Sequence, residues 1–111
     1  MANIPPLGEL EQLLLLTIVR LGPDAYGLSI ARELEKQTGR RLSRGALYTS
    51  LDRLETKGLL RWKLEAGGPE RQLLPKRVHT VLPRGIAALR SSRQLLRRLW
   101  RGLEDILKEQ S

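Results

Sequence analysis

The side chains of this sequence best suited to chemistry are cations and hydroxyls gathered in one stretch: Ser43, Arg44, Gly45, Tyr48, Thr49 and Arg53. Arg44 could fork onto a guanine edge or hold a phosphate. Gly45 lets a backbone come close to a partner. This is the chemistry of gripping an anion, not of breaking bonds. Cysteine is absent, which excludes disulfides, thiolate metal sites and cysteine nucleophiles. His79 is the single histidine, and with no cysteine and no nearby carboxylate pair a metal site there would lack ligands. It reads as an ordinary strand residue. There is no plausible Ser/His/Asp arrangement and no phosphate-cradling glycine loop. The expectation is therefore no enzyme, no metal and no cofactor.

A helix must position these groups. Ser43 is a good N-cap, because its hydroxyl can accept an orphan amide of the first turn. Leu47, Leu51 and Leu54 fall at i, i+4 and i+7 and mark one buried face. Gly58 stands where a left-handed residue ends a helix. The opposite face carries Gly45, Thr49, Asp52 and Thr56, flanked by Tyr48 and Arg53. Such a helix packs by one side and offers small hydrogen-bonding residues on the other, which suits a DNA groove. Against this stands the plainer reading of a solvated helix start, with Tyr48 half-buried on the core and Arg53 paired to Asp52 or Glu55.

Bulk properties agree with an anionic partner. The 111 residues amount to one domain with a modest core plus an extra helix. A net charge of +8 predicts attraction to nucleic acid or to an anionic membrane surface. No basic region followed by an apolar run marks a signal peptide. The longest apolar block, Leu13 to Leu16 and on to Val19, is too short to span a bilayer. A cytoplasmic protein without membrane contact is expected.

In chain order, Met1 to Leu7 reads as an extended arm. A first helix runs from Gly8 to Leu21 and is apolar on nearly all sides, so it is buried from more than one direction. Gly22-Pro23 breaks it. Asp24 or Ala25 caps a second helix, Tyr26 to Thr38, closed by Gly39. With the helix from Ser43 this makes a helix-turn-helix. Leu59 to Glu65 alternates as a half-buried strand with Leu60, Trp62 and Leu64 inward. Ala66 to Lys76 is a loop and Arg77 to Leu82 a second strand. This hairpin, or wing, carries Arg61, Lys63, Arg71, Lys76 and Arg77, read either as phosphate and minor-groove contacts or as charges protecting a strand edge. Trp62 reads as strand core.

Pro83 opens a last helix that continues to about Lys108, with Leu89, Leu96 and Leu103 at seven-residue spacing and Leu99, Trp100 and Ile106 beside them. A long amphipathic helix with no remaining core to cover pairs with another chain. Leu13, Leu16, Leu89, Leu96, Leu99, Trp100, Leu103 and Ile106 are the expected dimerisation residues, the last helix lying on helix one of a partner. The fold class is thus mainly α with a minor β component: a winged helix-turn-helix with a long C-terminal dimerisation helix. Its parts are a DNA-binding domain over 1–82 and a dimerisation helix over 83–111.

The order of elements and the local residues resemble the PadR family of bacterial transcriptional regulators. The resemblance is carried by Leu7-Gly-Glu-Leu-Glu-Gln12, Ala25-Tyr-Gly27, Leu82-Pro-Arg-Gly85 and above all Ser43 to Leu60, with its Gly-x-Leu-Tyr core and its Arg-Leu-Glu. It implies a repressor that binds double-stranded DNA at a palindromic operator as a homodimer joined through the last helix. It also implies a small-molecule effector as a further partner, since aromatics at that interface line a planar-ligand cavity in some members; Trp100 is the candidate lining residue, against simple interface filling. The wing departs from the family pattern, being longer than the commonest form and holding Val78-His79 where an aromatic pair usually stands. Two rival functions remain: a winged-helix protein-interaction module with a basic surface, and a basic RNA-binding protein.

Overall fold

The computed structural model describes residues 6–66 and 74–109. Its elements are α1 (Glu9–Leu21), a 3-10 turn (Gly22–Asp24), α2 (Gly27–Thr38), α3 (Arg44–Thr56), β1 (Leu60–Glu65), β2 (Lys76–Val81), α4 (Pro83–Trp100) and α5 (Glu104–Glu109). The fold is mostly helical with a small antiparallel sheet, a winged helix-turn-helix. Of the arm before α1, only Pro6 and Leu7 are described, and Leu7 is buried in the core.

The core forms where three helices turn their leucines inward. α1 contributes Leu14, Leu15 and Ile18, α2 contributes Ile30 and Leu34, and α3 contributes Leu47, Leu51 and Leu54. Burying a leucine of this kind is worth roughly 1.5–3 kcal/mol, so these residues set how the helices cross. α1 is two-sided as its sequence requires: Leu16 and Val19 remain about half exposed on the flank away from α2 and α3. A Lys57–Glu11 ion pair ties the end of α3 to the start of α1. Partial burial pushes the Glu11 carboxyl up, but Lys57 and the Gly8 N–H outweigh it and hold the group below its ordinary range.

β1 and β2 pair in register from Leu60 opposite Val81 to Glu65 opposite Lys76. The free edge of β2 is covered: Val78 bridges to Tyr26, and the His79 N–H donates to the Ala25 carbonyl oxygen at 2.8 Å. The wing is thereby anchored to the start of α2. His79 is buried, with Nδ1 3.3 Å from the same Ala25 oxygen.

Four expectations are corrected. The last helix does not run unbroken to Lys108: it ends at Trp100, Gly102 takes a positive φ of 83°, and α5 starts afresh at Glu104. A leucine spacing that continues past a glycine does not keep the backbone helical through it. The cap of α2 is Tyr26 rather than Asp24 or Ala25; the Ser29 hydroxyl accepts from the Tyr26 N–H at 3.0 Å and donates to the Asp24 carbonyl. Trp62 is not strand core but half-buried, and Leu64 is exposed. Beyond Leu60 the inward face of β1 meets only polar residues of α3, where Trp62 Nε1 reaches Glu55, and Leu64 stays 59% exposed. Strand limits shift by one residue, to Leu60 and Lys76.

α4 leaves the wing over Gly85. A Cβ added there would stand 2.3 Å from the Leu59 carbonyl oxygen and 2.7 Å from Val81 Cγ1. Gly85→Ala is therefore expected to lower unfolding free energy by about 1–3 kcal/mol in urea titrations; unchanged stability would contradict this contact. Burial holds the His79 imidazole below its ordinary value of 6.5. The unfolded chain then takes up a proton before the folded one, so this contribution is complete above pH about 6.5 and is lost as pH falls below it. The urea midpoint should drop between pH 7.5 and 5.5, and His79→Asn, which does not titrate, should flatten that slope relative to the parent chain.

Candidate nucleic-acid interface

α3 is the element on which the sequence-predicted contacts converge. Ser43 caps it, its Oγ accepting from the Ala46 N–H at 3.1 Å. At the other end the Gly58 N–H donates to Glu55 O at 2.9 Å and the Leu59 N–H to Leu54 O at 3.0 Å, the paired bonds of a Schellman motif. Both termini being tied, the helix is a fixed rod with Leu47, Leu51 and Leu54 buried. Arg44, Gly45, Thr49, Asp52, Arg53 and Thr56 all face solvent. Among the described residues Arg44 has no ion-pair partner, so its guanidinium is available to an anion.

Tyr48 behaves differently from its neighbours. It is half-buried, and its hydroxyl lies so close to Gly27 that a Cβ there would meet it at 2.2 Å. It therefore locks α3 against the start of α2 as well as bordering the exposed face. Arg53 makes no ion pair with Asp52 or Glu55 among the described residues. It borders the α1–α3 groove near Lys57 and Glu11.

The wing residues divide into two groups. Arg61 and Lys63 are exposed and lie outside every ion pair among the described residues. Lys76 and Arg77 are engaged within the chain: Lys76 Nζ stands 3.7 Å from the centre of the Tyr26 ring, and the Arg77 guanidinium 4.2 Å from the Trp62 ring. Arg77 Nη1 also approaches Asp52 Oδ1 at 4.0 Å, and Trp62 Nε1 donates to Glu55 Oε1 at 3.1 Å. Trp62 and Arg77 thus form a link from the wing to the second half of α3, which the sequence reading missed. The signal was present: Asp52 and Glu55 share a face at i, i+3, and Trp62 and Arg77 share a strand face. Arg71 lies outside the described residues.

The expected dimerisation residues fall into two sets as well. Leu13 and Leu89 are half-buried against the chain's own core. Leu16, Leu96, Leu99, Trp100, Leu103 and Ile106 are exposed, Leu99 by 74%, and Val19, Ile86, Leu95 and Leu107 extend the same kind of surface. Exposed apolar residues gathered in this way are the kind of surface used for interaction with another molecule. No helix of the described residues is long and apolar enough to cross a membrane. No group of three or more His, Asp or Glu among them is placed to hold a metal ion.

Comparison with known proteins follows the same lines. The model of the transcriptional regulator PadR-like family matches residues 15–90. Similar solved structures include a PadR-like transcriptional regulator from Bacillus cereus, with TM-score 0.66 and 18% identity over 88% of this chain and 90% of that one. A PadR family transcriptional regulator from Eggerthella lenta has TM-score 0.64 and 25% identity over 89% and 86%. A transcriptional regulator from Thermoplasma acidophilum has TM-score 0.65 and 20% identity over 90% of each chain. No curated protein matches the sequence.

The link between wing and α3 is open to a double-mutant cycle with Trp62→Leu and Arg77→Ala. A coupling of about 0.5–1 kcal/mol is expected for a cation over an aromatic face at a partly exposed site. Strictly additive effects would mean that the two side chains do not hold each other.

Proposed function

The chain belongs to the PadR-like family of transcriptional regulators, DNA-binding proteins rather than enzymes, and we propose that it acts as a homodimeric repressor of a palindromic operator. α3 of each subunit enters a major groove. Arg44, Gly45 and Thr49, with Ser43 at the cap and Tyr48 at the edge, meet bases and phosphates there, as the first turns of a recognition helix do. Arg53 and the wing residues Arg61, Lys63 and Arg71 reach the flanking backbone. Lys76 and Arg77 contribute their charge from fixed positions on Tyr26 and Trp62. Residues 1–82 form the DNA-binding unit, and residues 83–111, with the outer face of α1, join the subunits.

The observation that carries this reading is the two-faced α3: three leucines buried, both ends tied, and on the open side, beside a glycine, an arginine without an ion-pair partner among the described residues. A basic protein that only decorated an acidic partner would have no need of a capped helix presenting so small a face. An RNA binder would favour exposed aromatics beside its basic surface for stacking, whereas near α3 and the wing Trp62 lies under Arg77 and Tyr48 packs on Gly27, and the exposed Trp100 stands at the far end of α4 among apolar residues. The cytoplasm is the compartment this role requires. An effector would act by binding one dimer geometry in preference to another and so altering the spacing of the two α3 helices.

The test is a gel shift with DNA from upstream of the protein's own gene, against random DNA and RNA competitors. A complex that resists competitor at moderate salt is expected. Arg44→Ala should weaken it by about 1–3 kcal/mol while leaving the oligomeric state unchanged. Absence of any competitor-resistant complex would overturn the reading. Full affinity in Arg44→Ala would mean that another element reads the DNA.

A further inference from the structure

α2 and α3 meet at a hollow that the proposed contacts with DNA leave unexplained. It encloses about 410 Å³ beside the start of α3, a size that suits a small molecule. Its walls are aliphatic: Leu28 and Ala31 from α2, Leu42 from the link between the helices, and Leu47 from α3. Tyr48 closes one end, its hydroxyl packed so tightly on Gly27 that no Cβ fits between them. Arg44, exposed, borders the opening.

Leu28 is the residue for which the fold itself has no use. Ile30 and Leu34 of the same helix are fully buried, whereas Leu28 is 54% exposed. A lone exposed leucine is ordinary. Here it shares a hollow with a guanidinium that lacks an ion-pair partner, and with a tyrosine hydroxyl that lacks a hydrogen-bond partner, among the described residues. A phosphate would satisfy the arginine and leave the aliphatic walls wet. A ligand with an anionic head and an aliphatic tail satisfies both. The positive end of the α3 dipole adds to the attraction for the head.

We infer that the α2–α3 hollow binds a medium-length aliphatic carboxylate, with its head on Arg44 and the Tyr48 hydroxyl and its tail along Leu28, Ala31, Leu42 and Leu47. A carboxylate is ionised at neutral pH and matches the two-pronged guanidinium. The tail is aliphatic rather than planar because the one aromatic ring of the hollow is held against Gly27 instead of standing free to stack. A bound carboxylate occupies Arg44 and so competes with DNA for it. That competition rests on the DNA reading of α3 above; the binding does not. It also needs no change in the spacing of two α3 helices, unlike an effector that selects one dimer geometry.

Amide NMR shifts of isotope-labelled protein, titrated with hexanoate, octanoate and decanoate, test the site. Shifts are expected at Gly27, Leu28, Ala31 and Tyr48. Affinity should rise about two- to fourfold for each methylene added to the tail. Octanamide, with the tail of octanoate and no charge, should bind at least about tenfold more weakly. Leu28→Ser should weaken octanoate binding by about tenfold. The same variant should bind operator DNA like the parent chain when octanoate is absent, since Leu28 is not among the proposed DNA contacts. Octanoate should raise the apparent Kd for the operator in the parent chain and do so far less in Leu28→Ser. Shifts confined to Leu16, Leu89 and Leu96, or equal binding of octanoate and octanamide, would overturn the site. Octanoate seated in the hollow with operator affinity unchanged would overturn the competition. Octanoate binding at these amides in a chain that forms no competitor-resistant DNA complex would support the site and overturn the DNA reading alone.

Discussion

The burial of Leu47, Leu51 and Leu54 against α1 and α2 is the interaction on which the exposed half of α3 depends. A helix of thirteen residues has little stability of its own in water. It exists here because one face is sealed into the core and both ends are tied, by the Ser43 hydroxyl at the start and by the Gly58 and Leu59 amides at the close. Once that face is fixed, the helical period aims Arg44, Gly45 and Thr49 outward without further help. Tyr48 reinforces the arrangement from the side, its ring packed on Gly27 so that α2 and α3 approach closely. A helix face made of small residues must be held by its neighbours, since it has no bulk with which to hold itself.

The wing depends on α3 and on the start of α2 in turn. One edge of β2 is pinned to Ala25 and Tyr26, and the Trp62–Arg77 pair leans on Asp52 and Glu55. Asp52 is an acid on the open face of a helix proposed to meet phosphates, and Arg77 at 4.0 Å offsets its charge. The same arginine therefore steadies the wing and softens the repulsion that Asp52 would exert on DNA. α4 depends on the wing through Gly85, whose missing side chain lets the helix cross directly over the Leu59 carbonyl. Beyond that crossing α4 carries Leu95, Leu96, Leu99 and Trp100 into solvent, the surface that the proposed dimer would cover.

Where apolar spacing met a nearby partner within the chain, the fold was legible from the sequence. The core leucines of α1 and α3, Ile30 and Leu34 of α2, the Ser43 cap and the inward Leu60 behave as their spacing indicates, because local bonding and core burial demand the same structure, whereas Leu28, placed by its spacing on the inner face of α2, is 54% exposed. The misreadings have a common physical origin. The spacing of Leu89, Leu96 and Leu103, with Leu99 and Ile106 between and beyond, predicts one continuous last helix, but a side-chain repeat constrains the backbone only where something packs on it, and Gly102 ends the helix first. Strand alternation predicts Trp62 in the core, yet the part of α3 it meets is polar, so its Nε1 bonds Glu55 and Arg77 lies over its ring. The cap of α2 went to Tyr26 because Ser29 reaches back to its amide, a bond no spacing rule singled out. Of the candidate site, the exposed first turns of α3 were readable. The division of the wing cations into free and stacked ones was not, since it depends on which aromatic ring lies within reach.

In the proposed dimer two α3 helices, related by a two-fold axis, read one operator. Hydroxyl-radical and methylation footprinting on an operator fragment tests it most directly. Two protected segments are expected, centred about 10 bp or a multiple of that apart and related by a dyad, with guanine N7 protection in both major grooves. A single unsymmetrical segment, or backbone protection without any protected guanine, would contradict it.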